Sequence, residues 1–194
     1  MKKVFIVHRW DGSPDKDWYP WVKQKLEERG FQVFVPVMPH SEAPTISNWV
    51  STLTSFVEEN GGVDSETFFI GHSIGCQTIM RFLEKSDGVR AGGVVFVAPW
   101  LSLTPAATPD ADTLSIANPW LDTPIDFDVV KGKAFKFVAI FSDNDPYVPL
   151  SNFRLFENRL NSEIILESGK GHFDDDSHTK ELFVVLDEVM KLSG

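Results

Sequence analysis

"ETFFIGHSIGCQTIMRFLEKS" (66–86) decides the architecture of this chain. Residues 66–72 form an apolar run that reads as a strand, and residues 73–86 follow at once with a helical pattern. The junction, Gly71-His72-Ser73-Ile74-Gly75, fits G-x-S-x-G. The motif alone is weak. It gains meaning when a strand precedes it and a helix follows, as here. So sharp a turn strains the serine backbone and brings neighbouring turns together. Side chains two residues to either side would clash, and glycine removes them. The turn lifts the Ser73 hydroxyl above the sheet. It also aims the Ile74 N–H and the helix N-terminus at the same spot, where a developing oxyanion would sit. The plain alternative is a strand–helix turn whose serine only caps the helix.

Outward from this junction, short apolar runs alternate with amphipathic stretches. Strands are expected at 2–8, 31–38, 66–72, 91–99, 133–141 and 162–168. Helices are expected at 15–30, 45–62, 73–86, 149–160 and 178–192. In the first helix Trp18, Trp21, Val22, Lys25 and Leu26 share a face, Pro20 suits the first turn and Gly30 suits the end. In the second, Ile46, Trp49, Val50, Leu53 and Val57 do the same. Ser151 is a candidate cap. Uniformly apolar strands alternating with helices predict a mainly parallel α/β sheet of about six strands with helices on both faces. Residues 100–132, with four prolines, read as a long irregular connection with a short helical piece near Phe127–Val130. That segment is too short for a full lid domain, so an open cleft is expected. Residues 1–194 read as one domain.

Composition narrows the function classes. A formal net charge of −10 with no basic cluster argues against a nucleic-acid partner. Cys76 is the single cysteine, which rules out an intrachain disulfide. The N-terminal apolar run, Val4–Val7, is too short for a signal peptide, and no run suits a membrane span. A cytoplasmic location and no membrane partner are the expectations. A protein partner is not readable.

A serine hydroxyl needs a base to take its proton, and the base needs an orienting carboxylate. In this architecture the chain order is serine, acid, histidine. Asp143 and Asp145 lie just past strand five, and His172 lies just past strand six. Functional groups in open α/β sheets gather beyond the carboxyl ends of the strands, so these side chains are expected to converge with Ser73.

Four stretches together resemble one family: "VHRWDGSPDKDWYPWVKQKLEERGF" (7–31), "FFIGHSIGCQTIMRFLE" (68–84), "FSDNDPYVPLS" (141–151) and "GKGHF" (169–173). The chain looks like an α/β-hydrolase of the small, lidless serine-hydrolase group that includes retinoblastoma-binding protein 9 and YdeN-like proteins. The resemblance implies a triad of Ser73, Asp145 and His172, without metal or organic cofactor. Asp145 directly precedes Pro-Tyr-Val-Pro, the place of the family's acid, which leaves Asp143 as a turn residue. Many α/β-hydrolases carry His-Gly after the first strand. This chain has His8-Arg9-Trp10 instead, whose bulk suggests a reshaped acyl pocket. Ile74 and Trp10, with Arg9 as the alternative, are the expected backbone donors. Trp10 and Trp100 are the expected substrate-binding side chains. The reading is a carboxylesterase-type serine hydrolase acting on a small acyl substrate. Its rivals are a thioesterase or amidase on the same triad, and an interaction module with little turnover.

Other residues have plainer readings. His72 should point away from the serine by strand alternation and be packed and hydrogen-bonded. His8 also flanks the presumed site without being the base. His178 fits the first turn of the last helix. Cys76 reads as a small buried hydrophobe. "HFDDDSH" (172–178) reads as a solvated acidic loop rather than a metal site. Trp120 fits the core, and Trp100 fits either the core or a substrate wall.

Overall fold

The computed structural model describes residues 1–88 and 90–194. Six strands form the sheet: β1 (Lys3–Val7), β2 (Gln32–Phe34), β3 (Thr67–His72), β4 (Gly93–Val97), β5 (Phe137–Ser142) and β6 (Glu163–Glu167). Their order is β2-β1-β3-β4-β5-β6 and every pairing is parallel. In β1, β3, β4 and β5 each residue is buried, as expected for strands covered on both faces. The edge strand β6 is only partly covered. β2 is shorter than its apolar run, and Pro36, which has no N–H to donate to a ladder, follows just past its end.

Among the described residues seven α-helices accompany the sheet: α1 (Tyr19–Glu27), α2 (Ile46–Glu59), α3 (Ile74–Lys85), α4 (Ala111–Asp122), α5 (Phe127–Lys131), α6 (Asn152–Leu160) and α7 (Phe183–Ser193). The chain leaves β1 toward β2 and returns past β1 to β3. Right-handed crossovers in opposite directions put helices on opposite faces. Accordingly α1 packs on α7, while α2 packs on α3, α3 on α5 and α5 on α6. The buried faces of α1 and α2 include Val22 and Leu26, and Trp49, Val50, Leu53 and Val57. Pro20 sits in the first turn of α1, and Gly30 takes φ +85° just past its end.

Three expectations need correction. Residues 100–132 are not mainly irregular, because they hold a short 3₁₀ turn and the helices α4 and α5. A capping box starts α4: the Asp110 carboxylate accepts from the Thr113 N–H, and the Thr113 side chain reaches back. The α4 helix runs through Pro119 and buries Ala117 and Trp120. Its carboxyl end is held by Arg81, whose guanidinium donates to the carbonyls of Trp120, Thr123 and Pro124. The last helix begins at Phe183, so exposed His178 lies in the preceding turn, with φ +56°. Ser151 precedes α6 without a side-chain cap bond, since its backbone is already αR rather than extended.

Candidate active site

The strand order reverses direction between β1 and β3, so the carboxyl ends of those two strands border the crevice where open α/β sheets hold ligands. Ser73 follows β3 there, and His8-Arg9-Trp10 follows β1. Ser73 has φ 55° and ψ −118°, a backbone that costs about 1–3 kcal/mol and is held by its surroundings. Its N–H donates to the Val97 carbonyl at 2.9 Å. A Cβ on Gly71 would meet the Cys76 backbone at 2.8 Å, and one on Gly75 would meet the His8 carbonyl oxygen at 2.8 Å. Both glycines are therefore required by close backbone approach. Ile74 opens α3, so its N–H has no partner within the helix.

His172 Nδ1 donates to Asp145 Oδ2 at 2.8 Å, and both side chains are nearly fully buried. The other Asp145 oxygen accepts from the N–H groups of Tyr147 (2.8 Å) and Val148 (3.0 Å). Asp143 does a different job. It accepts from Gly169 N–H and Ser168 Oγ across the β5–β6 turns, and those bonds hold its pKa below the ordinary range. In the neutral imidazole, a hydrogen on Nδ1 directed at the carboxylate leaves the lone pair on Nε2. No hydrogen bond joins Ser73 to His172. Ser73 Oγ accepts instead from the Trp100 indole N–H at 3.2 Å.

Ser73, His172, Arg9, Trp10, Trp100 and Tyr147 line one cleft of about 270 Å³, with Leu103, Ala107 and the aspartates 11, 174 and 176. No residue of α4 borders the cleft. The Arg9 N–H is occupied, donating to Tyr19 Oη at 3.1 Å. The Trp10 N–H donates to no protein group among the described residues. The Arg9 guanidinium is paired with the buried Asp17 carboxylate at 2.8 Å. Burial alone would lower the Arg9 pKa, but this partner more than offsets it. Asp17 and Tyr19 escaped sequence reading because their partners, Arg9 and His72, are met only after folding.

His72 is fully buried, bonded to Tyr19 Oη and to the His172 carbonyl. Burial first, then the nearby His172, holds its pKa well below the ordinary histidine value. His8 is also buried, between the Arg9 carbonyl and the Met38 N–H. Cys76 is buried and its thiol pKa is pushed well up by desolvation. Among the described residues no group of three or more His, Cys, Asp or Glu is placed to hold a metal ion. No helix there is long and apolar enough to cross a membrane.

The parallel sheet and the strand–Ser73–helix turn define an α/β-hydrolase. The chain belongs to the serine hydrolase family, which it matches over residues 4–189. YdeN of Bacillus subtilis, a protein named as a hydrolase, is 26% identical over 187 residues, covering 96% of this chain and 93% of that one. The serine hydrolase RBBP9 of Rattus norvegicus is 28% identical over 160 residues, covering 81% and 78%. The crystal structure of the B. subtilis ydeN product matches with TM-score 0.89 and 25% identity, covering 99% of this chain and 98% of that one.

Proposed function

We propose that this serine hydrolase cleaves esters of small acyl groups through Ser73, His172 and Asp145. The observation that carries the reading is the 2.8 Å Asp145–His172 bond beside a strained serine at a helix N-terminus in the same cleft. Ser73 Oγ turns from the Trp100 indole toward His172 Nε2, gives up its proton there and bonds to the acyl carbon. The carbonyl electron pair becomes the oxyanion, facing the N–H groups of Ile74 and Trp10. The occupied Arg9 N–H supports Trp10 over Arg9 as second donor. Collapse expels the alcohol, which takes the proton from His172. Water then attacks the acyl-enzyme with the same base and regenerates Ser73. Asp145 keeps the Nδ1–H tautomer and stabilises the imidazolium. The bulk of Trp10 and Trp100 around a small cleft supports short acyl chains.

The test is intact mass after exposure to a fluorophosphonate, on wild type and on Ser73→Ala, followed by a panel of esters, thioesters and amides of rising acyl length. One adduct on wild type, none on the variant, and fastest turnover of short esters is the expected result. No adduct on folded wild type would remove the triad mechanism. Preferred turnover of thioesters or amides would remove the ester assignment alone.

A further inference from the structure

Three hydrogen bonds run in one direction beneath the cleft. The Arg9 N–H donates to Tyr19 Oη at 3.1 Å, and Tyr19 Oη meets His72 Nδ1 at 2.7 Å. His72 Nε2 meets the His172 carbonyl oxygen at 2.8 Å. A carbonyl can only accept, so His72 Nε2 carries the hydrogen and Nδ1 is the acceptor. The Tyr19 hydroxyl therefore donates to Nδ1, which leaves its oxygen free to accept from Arg9. Each polar atom of both side chains is satisfied with one tautomer, and both side chains are wholly buried. Chains of this kind polarise one another and gain from low dielectric surroundings.

The two ends are what matter. One is the amide immediately before Trp10. The other is the main chain of His172, which no regular structure supports. Gly171 and Phe173, on either side of it, have φ +52° and φ +58°. The His172 N–H is held by Ser177 Oγ at 3.1 Å and its carbonyl by His72. Side chains thus hold both the N–H and the carbonyl of His172, while the next N–H, of Phe173, donates to the Lys170 carbonyl at 2.9 Å, in a turn that is costly for Phe173.

The geometry points to Tyr19 and His72 as positioning residues: they tie the loop after β1 to the backbone of His172 and set the spacing between oxyanion donor and base. This inference rests on the triad reading above. Neither residue touches substrate; each acts through Arg9 and His172. A shift of about 1 Å at a reacting group costs on the order of a hundredfold in rate, so loss of the tie is read in kcat rather than in KM.

The experiment compares Tyr19→Phe, His72→Leu, His72→Gln and the double variant Tyr19→Phe/His72→Leu with wild type. The readouts are kcat and KM on an acetyl ester per folded molecule, and the NMR signal of the His172 Nδ1–H proton. Tyr19→Phe should lower kcat about tenfold and His72→Leu about a hundredfold, with KM changed less than about twofold. The double variant should be no worse than His72→Leu, because residues acting as one unit are not additive. His72→Gln, which can donate and accept, should recover part of the loss. The His172 proton signal should broaden in the two disruptive single variants. Unchanged kcat with an unchanged signal, or losses that multiply, would overturn the proposal. A wild type with neither turnover nor adduct, but whose signal broadens in the variants, would sink the triad reading and leave the tie supported.

Discussion

Gly75 presses its bare α-carbon against the Val7 carbonyl at the end of β1, leaving no room for a methyl group. The first turn of α3 and the last residue of β1 are thus in direct backbone contact. Gly75→Ala must push them apart. The expected cost is about 1–3 kcal/mol of stability, as for other overpacked sites. The same displacement separates the Ile74 and Trp10 amides, so kcat should fall at least about tenfold in protein that remains folded. Urea unfolding together with ester kinetics checks both parts. A stable variant with wild-type kcat would show that the contact is not what holds the turn.

Asp143 and Asp145 are separated by one residue and differ in partner. Asp145 meets His172, whereas Asp143 bridges Ser168 and Gly169. Asp145→Asn should lower kcat by about 10³- to 10⁴-fold, because the amide favours the wrong imidazole tautomer. Asp143→Asn should leave kcat within about threefold, as an exposed turn substitution does. Equal losses in the two variants would contradict the division of roles.

The Trp100 indole both donates to Ser73 Oγ and walls the cleft, and site-directed variants separate these. Trp100→Phe keeps most of the ring and removes the N–H; short esters should remain the best substrates, with kcat altered several-fold. Trp100→Leu opens space beside the nucleophile and should move the preferred ester toward longer acyl chains, each added methylene being worth roughly 1–3 kcal/mol in discrimination. An acyl-length series measures the shift. An unchanged preference in Trp100→Leu would place the wall elsewhere.

His8 and His72 are buried with pKa values below the ordinary 6.5. Their unfolded-state values are higher, so below that range the unfolded chain binds more protons than the folded one. Stability from these groups is complete above about pH 6.5 and falls as pH drops through it, by up to about 1.4 kcal/mol per pH unit for each. Tm should therefore decline from pH 7 to pH 5. His72→Gln, which has no such proton to bind, should show a shallower decline. Parallel Tm curves for variant and wild type would refute the assignment to His72.

The strand and helix pattern was readable because parallel strands buried on both faces spell continuous apolar runs, as in "FFIG" (68–71) and "VVFV" (94–97). Helix α4 was not. It buries only Ala117 and Trp120 and carries Pro119, so neither periodicity nor composition announces it. Its one local signal was the Asp110–Thr113 cap. The strained Ser73 and its flanking glycines are local features, visible within five residues. The Arg9–Asp17 pair and the Tyr19–His72 bond join residues by distance in space, and nothing in their spacing along the chain marks them. The clamp of Arg81 on the end of α4 is hidden for the same reason.

The order in which the strands enter the sheet has a further consequence. Ser73 and its amide neighbours belong to β1, β3 and α3, which sit side by side and come early in the chain. Asp145 follows β5, and His172 follows β6, the last strand and an edge of the sheet. Under the proposed mechanism, a nascent chain builds its serine elbow long before it owns a base, and would stay chemically silent until the final strand docks. In the finished molecule the same dependence runs backward. Under that mechanism, fraying at β6, the most exposed strand, would withdraw the proton acceptor while the rest of the sheet stands, and turnover would be lost before the fold is.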